Sequence, residues 1–220
     1  MLELVILDVN ETLFPLDPVA DRMAEVGLPG QLDVWFARVL RDGIAAAAAD
    51  RFAPFGELGR HHLAMLLDGH PEPDTAIAHV LDGFGQVHPH PDVAPGLHAL
   101  RDAGIPTVAL TNGSAELTRA FLARADLTDL VAEVHDVTPV GRWKPAAAAY
   151  RFVLDRHGVG AHRAAMVAVH PWDLLGAQAA GLVTGWLNRD GDRYPAVFGQ
   201  PDVTASDLPE LVMRLLVPDS

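Results

Sequence analysis

Short, mostly apolar runs punctuate the chain at Leu4-Val5-Ile6-Leu7, at Ile105-Pro106-Thr107-Val108-Ala109-Leu110, at Val131-Ala132-Glu133-Val134, at Ala164-Ala165-Met166-Val167-Ala168-Val169 and at Val183-Thr184-Gly185-Trp186-Leu187. Runs this short and this uniformly apolar suit strands covered on both faces. Pro106 must then sit at the start of its strand, because it has no N–H to give a neighbour. Val203 is predicted to begin a last short strand. Between these runs the spacing predicts helices over Leu97–Gly104, closed by its glycine, over Ala120–Arg124, Ala146–Arg156 and Leu174–Gly181, and over Leu208–Leu216 at the end. From Val93 onward strands and helices alternate with short connections. That is the pattern of an α/β fold built on a doubly wound parallel sheet.

The stretch from Phe14 to about Gln86 reads differently. Asp17-Pro18 predicts an N-cap followed by proline at the first helical position, with a helix through Val26 ended by Gly27. Pro29 is expected to start a second helix, in which Leu32, Trp35, Phe36, Val39 and Leu40 form a core-facing stripe. Arg38 lies off the centre of that stripe. Ala45 to Ala49 adds helix propensity and no side-chain chemistry. Leu58, His62, Met65 and Leu66 mark a third helix, and Pro71 to Ala76 begins a fourth. The expected organisation is an α/β core of residues 1–14 and 87–220, with a helical domain of residues 15–86 inserted after the first strand.

The 220 residues are half apolar, which places the chain among globular proteins. There is no cysteine, so disulfides and thiolate chemistry are excluded. A net charge of -13 supplies no basic surface and argues against nucleic acid as a partner. A small anionic substrate needs only one or two local cations and is not excluded. No stretch reaches the length of a membrane span and the start lacks a signal-peptide pattern, so a cytoplasmic protein off the membrane is expected. His61 and His62 are neighbours on a helix and point apart. His88 and His90 have no third ligand near them in sequence, and no metal or cofactor is expected. Asp126, Asp129, Glu133 and Asp136 read as solvated surface.

Polar residues collect just after the predicted strands. Asp8 follows the first, Thr111 and Asn112 the second, and His170 with Asp173 a later one, while Lys144 stands at a predicted helix start. In a doubly wound sheet such points meet at one edge. A carboxylate at one strand end is common; the convergence makes Asp8 a candidate nucleophile.

In this order the stretches resemble the four motifs of the haloacid dehalogenase superfamily, over essentially the whole chain. Asp8 falls on the nucleophile and Thr12 on the threonine of the first motif. Thr111-Asn112-Gly113-Ser114 resembles the second, Lys144 the third, and Asp173 the last aspartate of the fourth. The resemblance implies a Rossmann-like core, with the helical insertion as a cap. Most members are phosphatases, and here the sequence departs from them. Asn10 replaces their second aspartate and has no titrating proton for a leaving alcohol. Val169 replaces a further acid, which would thin the oxygen shell that magnesium requires.

This resembles the L-2-haloacid dehalogenase (type II) branch, which implies a metal-free reaction. Arg38 falls on that branch's cap arginine and Tyr150 on a family tyrosine. Asn188-Arg189 fits as well, whereas His170 stands for an asparagine and Ala168 for a serine. By this likeness Asp8 displaces halide from an (S)-2-haloacid, and water hydrolyses the aspartyl ester to the (R)-2-hydroxyacid. Lys144 would keep Asp8 ionised and Asp173 would orient Lys144. Arg38 and Asn112 would receive the halide, and Thr12 would position Asp8. His170 is open between a general base for the ester and a filler of the asparagine's space. Asn10, Trp35, Thr111, Tyr150 and Trp172 are the expected substrate neighbours, although Trp35, Phe36, Trp172 and Tyr150 suit packing as well. The family habit implies a homodimer. The competing readings are a magnesium-dependent phosphatase, a related hydrolase of non-halogenated substrates, and a binding protein that keeps the fold.

Overall fold

The computed structural model describes residues 1–217 and contains the strands β1 (Leu4–Leu7), β2 (Thr107–Thr111), β3 (Glu133–Asp136), β4 (Ala164–Ala168), β5 (Val183–Leu187) and β6 (Val203–Ala205). All pair in parallel, in the order β3-β2-β1-β4-β5-β6. Every residue of β1, β2 and β4 is buried, which is why their sequences carry almost no polar alternation. Strand order reverses between β1 and β4, where Leu7 lies opposite Val167. Ligands of open parallel sheets bind at that reversal, beyond the strand ends. Asp8, Asn112 and His170 leave neighbouring strands at this place.

The helices are α1 (Asp17–Glu25), α2 (Leu32–Ala48), α3 (Phe55–Leu66), α4 (Pro73–Leu81), α5 (Val93–Asp102), α6 (Ala115–Arg124), α7 (Ala147–His157), α8 (Pro171–Ala179) and α9 (Leu208–Leu216). Several starts differ from the sequence reading. Asp17 is already helical, with Leu16 as the flanking residue. Helix α2 begins at Leu32, three residues past Pro29, after a turn in which Gly30 takes a left-handed φ of 68°. Helix α8 begins at Pro171, whose fixed φ suits a first helical position, so Asp173 sits inside the first turn. Lys144 lies in the turn just ahead of α7, in keeping with its expected place at that helix's start. Met65 is exposed while Leu63 is buried, so the inward face of α3 is turned from the predicted stripe.

Helices α1 to α4, with a 3-10 turn over Asp82–Gln86, follow β1 without a strand between them. Their shared core holds Trp35, Val39, Leu63 and Val80, all fully buried. The connection from β3 to α7 is tied into this helical region. Trp143 is fully buried, its ring stacked on Phe55 at 6.0 Å, and its Nε1 donates to the Ala53 carbonyl at 3.0 Å. Gly43 faces that ring, and a Cβ there would stand 2.5 Å from it, so only glycine lets α2 approach. Arg142 pairs with Asp50 at 2.7 Å beside it.

Candidate active site

The turn after β1 folds Thr12 back over Asp8. Glu11 takes a left-handed φ of 62°, and the N–H groups of Leu13 and Phe14 both reach the Val9 carbonyl. The Thr12 hydroxyl then donates to Asp8 Oδ2 at 2.7 Å and accepts the Val169 N–H at 3.1 Å. One side chain thereby ties the β1 turn to the end of β4.

Lys144 is fully buried and its three ammonium protons are all used. Nζ donates to Asp8 Oδ1 at 2.8 Å, to Asp173 Oδ2 at 2.7 Å and to the Leu110 carbonyl at 2.7 Å. Its backbone is held too: the Asn112 amide donates to the Lys144 carbonyl at 3.1 Å and accepts the Lys144 N–H at 2.8 Å. Asp173 is buried, and its Oδ1 accepts from the Tyr150 hydroxyl at 2.6 Å. Gly176 leaves room for this arrangement, since a Cβ there would lie 2.7 Å from that hydroxyl.

Two carboxylates around one ammonium fix the protonation states. Burial opposes the charge on Asp8, but Lys144 and the hydrogen bond from His170 outweigh it and hold the carboxyl well below its usual value. Burial likewise opposes the Lys144 charge, yet Asp173 and Asp8 raise its pKa and keep it protonated. Burial, with Asp8 nearby, pushes Asp173 up despite Lys144. Burial and then Asp173 push Tyr150 well above its ordinary value, so it remains a donor.

His170 Nδ1 lies 3.0 Å from Asp8 Oδ2. The imidazole packs against the rings of Phe36, at 5.9 Å, and Trp172, at 5.2 Å. Phe36 is thus the point where α2 meets the cluster; the sequence offered only its place on an apolar stripe. The backbone groups of Leu110 and Val169 also take part, and no side-chain pattern signals a backbone contact.

Other expected residues lie elsewhere or act differently. The amide of Asn112 is engaged with the Lys144 backbone through Oδ1 and one N–H, which leaves a second N–H of Nδ2 uncommitted. The Tyr150 hydroxyl is engaged with Asp173 rather than with a substrate. Trp35 is in the interior of the helical region, Nε1 on the Gly59 carbonyl at 2.9 Å and its ring against Phe55 and Phe84. Thr111 accepts the Gly113 N–H at 2.9 Å and shapes the turn after β2. Asn10 bridges to Phe14, and with Thr111, Gly113, Phe55 and Phe84 it lines a cavity of about 50 Å³. Arg38 is half-buried on α2, with no hydrogen bond or ion pair among the described residues. Arg189 makes a bidentate pair with Asp92 at 3.0 and 2.9 Å, away from Asp8.

Asp8 already accepts from Lys144, Thr12 and His170, while position 10 offers an amide and position 169 an apolar side chain. These are donors for an anion rather than ligands for a hard cation. Two residues read as free surface have structural partners: Asp136 accepts the Ala115 N–H at the start of α6, and Glu133 pairs with Arg156. Beside Glu133, His135 and His157 meet with their Nε2 atoms 3.0 Å apart and ring centres 5.3 Å apart. Glu133 Oε2 lies 3.6 Å from His135 Nε2, so the three side chains form a group of ligand atoms close enough to hold a metal ion.

The description haloacid dehalogenase-like hydrolase matches residues 2–181. (S)-2-haloacid dehalogenase 1 of Pseudomonas sp. (strain CBS-3) is 29% identical over 187 residues, covering 83% of this chain and 82% of that one. The solved L-2-haloacid dehalogenase of Xanthobacter autotrophicus superposes with a TM-score of 0.87 at 24% identity, over the full length of both chains. A structure of that protein with chloropropionic acid covalently bound superposes at 0.84 and 23%, again over both full lengths.

Proposed function

From the premise that the chain belongs to the haloacid dehalogenase-like hydrolases, we propose that it releases halide from short-chain (S)-2-haloacids and yields (R)-2-hydroxyacids. One observation carries this reading. Asp8 is an ionised carboxylate held by Lys144, and position 10 beside it is an amide. Such a site supplies a nucleophile but no proton for an alcohol leaving group; halide needs none.

The Asp8 carboxylate attacks the α-carbon, and halide departs with the bonding pair. Water then adds to the carboxyl carbon of the aspartyl ester. Lys144 keeps Asp8 charged before attack. Asp173, Tyr150 and Asn112 position Lys144, and the second amide N–H of Asn112 is a donor for the departing halide. Arg38, a half-buried cation of α2 without a side-chain partner among the described residues, takes the substrate carboxylate or the departing halide. Trp172 and Phe36 border the substrate through the His170 ring, and Asn10 with Thr111 shapes the small cavity beside it. The relatives named for (S)-2-haloacids support the substrate class. The donor-rich surroundings of Asp8 support a reaction without metal.

Residues 15–86 act in this reading as a cap on the core of residues 1–14 and 87–220. No helix of the described residues is long and apolar enough to cross a membrane. The working form is a cytoplasmic homodimer that acts on a small anion.

The test is halide release from L- and D-2-chloropropanoate by chelator-treated protein, with Asp8→Asn as control. Release from the L isomer alone, abolished in the variant, is the expected result. Silence with both isomers, together with magnesium-stimulated phosphate release from a panel of phosphate esters, would overturn the reading.

A further inference from the structure

The two oxygens of Asp8 are served unequally. Oδ2 accepts from Thr12 Oγ1 at 2.7 Å and faces His170 Nδ1 at 3.0 Å, whereas Oδ1 accepts only from Lys144 at 2.8 Å. A carboxylate oxygen has two in-plane lone pairs. Those of Oδ2 are both engaged, and Oδ1 keeps one free. The free pair makes Oδ1 the attacking atom, and Oδ2 becomes the carbonyl oxygen of the ester.

The tautomer of His170 follows from its partner. An ionised carboxylate can only accept, and so can an ester carbonyl. The hydrogen bond therefore puts a proton on Nδ1 in the resting enzyme and in the intermediate alike. In the neutral ring the lone pair then sits on Nε2, at the far side from Asp8. The rings of Phe36 and Trp172 pack against the imidazole. The atom beside the reacting carboxyl is a donor in either charge state.

We propose that His170 is an electrophilic residue of the second half-reaction, forming with Thr12 a two-donor oxyanion site on Asp8 Oδ2, and that it is not the base that activates water. This inference rests on the aspartyl-ester reading above. The step balances as follows. A water oxygen bonds to the Asp8 carboxyl carbon, the carbonyl π pair moves onto Oδ2, and one water proton passes to solvent. The Oδ2 charge is held by the Thr12 O–H and the His170 Nδ1–H, in place before charge develops. On collapse the pair returns to the carbon and the bond from that carbon to Oδ1 breaks. The leaving alkoxide takes a proton from Lys144. The new Asp8 carboxylic acid returns a proton to Lys144 and is a carboxylate again.

Two substitutions at one position separate donor from base. Asparagine keeps an N–H that can reach Oδ2 and cannot accept a water proton at neutral pH; alanine does neither. Rapid-quench turnover of L-2-chloropropanoate, with mass measurement of the peptide carrying Asp8, reads ester formation and ester decay separately. Removing one oxyanion donor typically costs about 10²- to 10³-fold. His170→Ala is expected to slow ester decay by that much and accumulate the ester, while His170→Asn slows it by less than about tenfold. Equal loss in both variants, with ester accumulating in both, overturns the donor role in favour of a base. Fast ester decay in His170→Ala overturns any role in this step. No ester and no halide from the unsubstituted protein is a failure of the dehalogenase reading itself.

Discussion

The two walls of the site are built on opposite terms. On the sheet side, Asp8, Lys144, Asp173, Tyr150, Thr12 and Asn112 form a closed set of hydrogen bonds, none longer than 3.1 Å. On the helical side, Phe36, Phe55 and Phe84 meet ring to ring over a buried Trp35, and Arg38 has no side-chain partner among the described residues. The first wall is a unit: each member needs the others to remain buried with its charge or hydrogen bond satisfied. The second is made of contacts that can change singly. The hydrogen bonds at Asp8 are thereby supplied from the sheet side, while the helical side offers mainly aromatic contacts.

The contrast breaks most sharply at Lys144. Lys144→Met leaves Asp8 and Asp173 as two buried carboxylates without a cation. Removing one partner of a buried pair costs about 3–5 kcal/mol. Chemical denaturation is expected to show that loss, and halide release is expected to vanish with it. An unchanged denaturation midpoint would mean that the sheet wall is not a unit.

Tyr150→Phe removes one hydrogen bond from Asp173, which costs about 1–3 kcal/mol where a buried acceptor is left short. It also changes the alkaline behaviour. The phenol's pKa is raised in the fold above its ordinary 10.0. Its contribution to stability is therefore full below pH 10 and is lost as the pH rises toward the folded value. Denaturation midpoints against pH should show a falling limb above pH 10 in the native chain that is shallower in the phenylalanine variant.

The smallest effect on stability is expected on the other wall. Arg38→Ala should shift unfolding by less than about 1 kcal/mol, since a half-buried side chain without a polar partner loses only the packing of its stem. In steady-state kinetics it should lower kcat/KM by about 10- to 100-fold, the worth of one charged hydrogen bond. A large loss of stability there, or kinetics unaffected by it, would erase the distinction between the walls.

Much of the fold was legible because burial on two faces leaves a plain mark: β1, β2, β4 and β5 stand in the sequence as short apolar runs, and Leu208–Leu216 coincides with α9. The meeting of Asp8, Asn112, Lys144, His170 and Asp173 followed from strand ends sharing one edge. What periodicity cannot report is the partner of a polar atom. Tyr150 and Asn112 carry the same residue types whether they touch a substrate or a neighbour, and only the chain's return brings Asp173 and the Lys144 backbone to them. Trp35 illustrates the same limit for an aromatic residue, since a stripe gives the buried face of a helix but not what lies beneath it.

Trp143 gives the protein an interlock. Its ring is wedged between Gly43 and Phe55 of the helical region, and its next residue in the chain is the lysine that arms Asp8. The lysine that pairs with Asp8 is thereby anchored, one residue away, in the helical region.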